Sequence, residues 1–103
     1  MKNGEFGKIV ERRLGKIQEV LASKAEEYSA GFDRLYNFKA AAGMSGGTPG
    51  SALWGMLTKH LVNVRDLAEG RLEATPELMD EKIGDAINYL ILLEAVLKEE
   101  KAK

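Results

Sequence analysis

The sequence has no cysteine, which rules out disulfides, thiolate chemistry and cysteine-ligated zinc and suits a reducing cytosol. Neither sign of charge dominates. Fifteen basic residues against sixteen acidic ones give a formal net charge of −1, and the two kinds are interleaved, so no nucleic-acid footprint is visible. No apolar run approaches the roughly 18 residues of a membrane span. The opening "MKNGEFGKIVERRL" has no signal-peptide core, and the expected location is cytoplasmic. At 103 residues there is room for one domain, residues 1–103, in which every helix contributes to a single core. Nothing reads as a strand or an internal repeat.

Proline is scarce, and its two positions are informative. Pro49 and Pro76 each follow a threonine, in "GGTPGSALW" and "EATPELMDE". Threonine at the N-cap with proline in the first turn is a helix start, because proline's missing N–H would be unpaired there in any case. Helices are therefore expected over 49–69 and 76–101. Phe6, Ile9, Val10, Leu14, Ile17, Val20, Leu21 and Tyr28 fall in one stripe at helical period, predicting a first helix over 5–29. Phe32, Leu35 and Phe38 predict a second over 31–43. The glycine-rich "GMSGGTPG" has no preceding strand and no Lys-Ser/Thr pair, so it reads as a connector rather than a phosphate loop. The expected fold is all-α, a single four-helix bundle-like domain.

The fourth helix is apolar all round. Met79, Ile83, Ala86, Leu90, Leu93 and Leu97 share one side, and Leu92 and Val96 lie on the other. A helix of this kind is buried all round. The expectation is a homo-oligomer, dimer or tetramer, with the Leu92–Val96 side covered by another subunit.

Polar side chains interrupt this pattern at one place. Glu81, Asp85 and Asn88 lie within about 60° of each other on the fourth helix, and two carboxylates one turn apart repel unless a cation joins them. The cation is a metal or a lysine. On the first helix Lys24 and Glu27 fall inside the apolar stripe. On the third, His60 lies within the Leu53, Leu57, Val64 and Leu67 stripe, which suits a core histidine, and Lys59, Asn63 and Asp66 form a separate polar line. Asp33, Arg34 and Asn37 stand opposite Phe32, Leu35 and Phe38, either as a solvated face or as a polar cluster facing the acids.

The segments "KAEEYS", "DRLYNFKAAA", "ALWGMLTKHLVNVRDL" and "DEKIGDAINYLILLEA" resemble small phage and prophage proteins related to the nucleotide-modification-associated family and, more distantly, to the MazG-like all-α nucleotide pyrophosphohydrolases. In MazG-like enzymes a Glu-x-x-Glu pair and a later Glu-x-x-Asp pair hold magnesium against nucleotide phosphates. Here Glu27 and Asp85 match two of those acids, Lys24 and Lys82 stand at the other two positions, and Glu81 is displaced by one. The resemblance implies nucleotide binding or metal-dependent pyrophosphate hydrolysis. Glu27, Glu81 and Asp85 would be the magnesium ligands, and Lys24, Asn37, Lys59, Lys82 and Asn88 the substrate contacts. The competing expectation is a non-enzymatic helical oligomer, a phage-encoded binding or regulatory module with its charges tied up in lysine–carboxylate pairs.

Overall fold

Both Thr-Pro pairs begin helices in the structure, a computed structural model that describes residues 1–27 and 33–102, with the side chains of 23–27 outside the description. Helix α1 runs Asn3–Glu27, α2 Tyr36–Ser45, α3 Pro49–Ala68 and α4 Pro76–Ala102. Among the described residues there is no strand, so the domain is all-α and bundle-like. At the start of α3, Thr48 Oγ1 accepts from the Ser51 N–H (3.1 Å) and Ser51 Oγ accepts from the Thr48 N–H (3.0 Å), a reciprocal capping box. Thr75 Oγ1 accepts from the Leu78 N–H (3.1 Å) at the start of α4. Glu100, near the end of α4, accepts from the Gly50 N–H (3.1 Å), bringing a carboxylate to the positive end of α3. Gly46, at φ 78°, closes α2.

The second helix starts later than its apolar spacing predicts. Asp33 Oδ1 accepts from the Leu35 N–H (2.9 Å) and the Asp33 carbonyl from the Tyr36 N–H (3.0 Å), so a local turn consumes the donors that a helix from 31 would need. Residues 28–32, including the expected end of the first helix and Phe32, lie outside the described residues. Lys39 of α2 pairs with both Asp33 and Glu99, tying this turn to α4.

Leu35, Phe38, Leu53, Leu57 and Val96 form the core, with Met56, Tyr89, Leu92 and Leu93 packed against them. Leu92 and Val96 therefore face the chain's own α2 and α3, not a second subunit. The helical angles placed these residues together correctly but assigned them to the wrong neighbour. The apolar residues left open on α4 are Met79, Leu90, Ile91 and Leu97. Trp54 of α3 is likewise exposed.

Helix α1 lies outside this core. Among the described helices it packs on α4 alone. The Arg12 guanidinium donates to both carboxylate oxygens of Asp80 (2.6 Å each), and Arg13 Nη2 stands 3.5 Å from Asp80 Oδ1. Arg13 also crosses α4 at Gly84, where an added Cβ would lie 3.0 Å from its Nη1. Hydrogen bonding from Arg12, reinforced by the charges of Arg12, Arg13 and Lys16 against a smaller desolvation cost, holds the Asp80 carboxyl down at about 2.

Two outcomes follow from this packing. Leu57→Ala, at a fully buried position, should cost about 2–5 kcal/mol in urea unfolding, whereas Thr48→Ala should cost only about 1 kcal/mol. The Asp80 contribution is present above the unfolded carboxyl pKa of about 3.9 and is lost as pH falls through the folded value of about 2. Wild type should therefore lose more stability than Asp80→Asn between those two pH values. Parallel melting curves for the two proteins would show the pair to be energetically silent.

Candidate ligand-binding site

The polar residues of α4 open onto a cavity of about 200 Å³ between α1, α4 and the segment entering α2. Its walls are Val20, Leu21, Arg34, Asn37, Phe38, Asp85, Asn88, Tyr89 and Leu92. Helical spacing explains the α4 wall: Asp85, Asn88, Tyr89 and Leu92 lie three or four residues apart on one face. Arg34 and Asn37 come from the turn that Asp33 organises and from the first turn of α2. Apolar side chains form the α1 wall, and Arg34 secures that wall by donating from Nη2 to the Leu21 carbonyl (3.0 Å). A guanidinium carries five N–H donors, so this bond leaves others for a ligand.

Asn88 is the one buried polar residue among the described residues, and its Oδ1 has no hydrogen-bond partner. A desolvated acceptor without a donor costs about 1–3 kcal/mol. Asp85, beside it, is half-exposed, and its Oδ2 stands 3.8 Å from His60 Nδ1 of α3. His60 stacks on Tyr89 with ring centroids 4.5 Å apart, and Tyr89 meets the edge of Phe38 at 6.3 Å. Phe38 and Tyr89 line the cavity, and His60 stacked on Tyr89 extends the aromatic series to α3.

A smaller recess of about 70 Å³ shares Val20, Asp85 and Asn88 with the cavity and adds Arg13, Lys16, Ile17, Asp80 and Gly84. Cations therefore stand on two sides of Asp85 and Asn88, with Arg34 on one and Arg13 and Lys16 on the other. The arrangement is suited to a ligand with an anionic group, a flat unsaturated portion and an N–H donor for Asn88.

Of the residues expected at a site, Asn37, Asp85 and Asn88 are brought together here. Glu81 is not. It is exposed and contacts Lys82 Nζ (3.2 Å), so neither Glu81 nor Lys82 lines the cavity. Lys59 is exposed on α3 and also lies apart from it. The Lys24 and Glu27 side chains fall outside the described residues, and with them the expected groove facing Glu81 and Asp85. Among the described residues, no group of three or more His, Cys, Asp or Glu is placed to hold a metal ion. Tyr89, Arg13 and Lys16 were not expected at a site. Tyr89 sits inside an apolar run, and nothing in the α1 pattern separates Arg13 and Lys16 from ordinary solvated charges. No helix among the described residues is long and apolar enough to cross a membrane. No family model, curated protein or solved structure matches the chain.

Exchanging Asn88 for leucine removes the unpartnered acceptor. The ligand-free Asn88→Leu protein should melt at or above the wild-type temperature. A drop of several degrees would mean that the amide already has a partner.

Proposed function

We propose that the chain is a nucleotide-binding helical protein that takes its ligand in the cavity between α1, α2 and α4. The observation that carries this reading is the unpartnered, buried oxygen of Asn88 in the wall of a cavity also lined by Arg34, Asn37 and Asp85. A nucleobase offers in-plane N–H donors for such an amide oxygen and a flat face for Tyr89 and Phe38. Its phosphates would meet the cations: Arg34 at the cavity, or Arg13 and Lys16 at the adjoining recess. The volume of about 200 Å³ is below the roughly 300–1,000 Å³ of a typical ligand pocket. The base fits inside and the phosphates lie at the rim. The resemblance to nucleotide-modification-associated and MazG-like proteins supports the same ligand class.

Magnesium binding through Glu27, Glu81 and Asp85 is a separate matter. Asp85 is the single described carboxylate lining the larger cavity, and Glu81 is turned to Lys82. Magnesium is commonly held by one or two carboxylates plus substrate phosphates, so an ion would arrive with the nucleotide and use Asp85. Nucleotide binding is the activity proposed, and hydrolysis would call for further carboxylates beside Asp85.

Thermal shift and calorimetric titration with nucleoside mono- and triphosphates, with and without magnesium, test this reading. At a ligand concentration of about 100 Kd the native state should gain about 2.7 kcal/mol. Arg34→Ala should weaken binding roughly ten- to a hundredfold, the equivalent of a charged hydrogen bond at about 1.5–3 kcal/mol. If no nucleotide shifts the melt or releases heat, the proposal fails. The phage-type interaction module would then be the better description.

A further inference from the structure

Helix α1 carries a second feature with no role in that cavity. Phe6, Ile9, Val10 and Leu14 are all exposed, Phe6 by 60% and Leu14 by 56%. With Pro76, Met79, Ile83 and Ile87 they line an apolar groove of about 520 Å³ between α1 and α4, the largest among those described. The charged residues in its lining, Arg12, Arg13 and Asp80, are engaged with one another across one side. A groove this apolar is a docking surface, and the question is what occupies it.

Area points to a second copy of the chain. The molecule exposes 7375 Å², whereas a folded monomer of 11.3 kDa is expected to expose about 5,700 Å². The excess of about 1,600 Å² per copy is twice the roughly 800 Å² per partner of a standard interface, and within the range of obligate homodimers. The radius of gyration, 15.7 Å, likewise exceeds the roughly 13 Å of a compact domain of this length. Shape points the same way. A two-fold pair needs one patch that is both ridge and groove. The exposed Phe6–Leu14 stripe is a ridge on α1, and the space beside it, walled by Met79, Ile83 and Ile87, is a groove.

We infer that the chain forms a two-fold homodimer in which the Phe6–Leu14 ridge of each copy enters the α1–α4 groove of the other. This interface lies on a different face from Leu92 and Val96. It holds α1 from its open side, fixing the Val20 and Leu21 wall of the cavity, which among the described residues of one copy is held by α4 and Arg34. The inference does not depend on the identity of any ligand.

Sedimentation velocity of the full chain at micromolar concentration tests it, without nucleotide. Wild type should sediment at twice the chain mass or a multiple of it. Phe6→Glu combined with Leu14→Glu should halve the mass while the circular dichroism spectrum stays helical, since both side chains are already exposed. Leu97→Glu, on the other open apolar side of α4, should leave the α1-dependent association in place. A monomeric wild type overturns the inference, and so does dissociation to monomer by Leu97→Glu with the α1 double variant unaffected. Co-sedimentation of a monomeric wild type with anionic phospholipid vesicles would assign the groove to a membrane surface instead.

Discussion

Helix α4 is apolar around most of its circumference, and the other three helices are too few to cover it. Everything else in the domain is arranged around that constraint. Helices α2 and α3 cover the side carrying Val96, Leu92 and Tyr89, making the one core in which Leu53 and Leu57 are fully buried. Helix α1 covers part of a second side and leaves a groove. The stretch around Leu90 and Leu97 stays open. Because burial of apolar surface is the main favourable contribution to folding, a helix with three apolar sides and cover for two remains incompletely buried in one copy.

The cavity arises where the apolar run of α4 gives way to charge. Upstream of Asp85 the helix meets cations of α1, and downstream it meets the core. Asp85 and Asn88 sit at this boundary, with His60 and Tyr89 on one side and Arg13 and Lys16 near the other. An amide oxygen left without a donor is a stability cost that a well-packed core would not carry. Costs of this kind concentrate at functional or strained sites.

Local chemistry was the part most legible in the sequence. The two Thr-Pro pairs mark helix starts because capping depends only on residues a few positions apart. The spacing of Asp85 and Asn88 likewise put them on one face, and Arg34 and Asn37 stood out beside an apolar line. The delayed start of α2 was hidden because Asp33 reads equally as solvated polar surface until its bonds to Leu35 and Tyr36 are known. Helical angles grouped Leu92 with Val96 but could not say which neighbour would cover them, since that depends on tertiary order. Glu81 shares a face with Asp85, yet its side chain turns to Lys82. A face defines directions available to a side chain, not the one it takes.

Gly84 belongs to the lining of the candidate site's recess without contributing a side chain. Glycine within a helix is less favourable than alanine by about 1 kcal/mol, and here the compensation is room for the Arg13 guanidinium directly over the α4 backbone. A methyl group at 84 would press on that guanidinium, and the arginine side chain would have to give by a few tenths of an ångström. That guanidinium, Lys16 and Gly84 itself are part of the lining of the recess beside Asp85. Position 84 leaves the α4 backbone bare where the arginine of α1 crosses it.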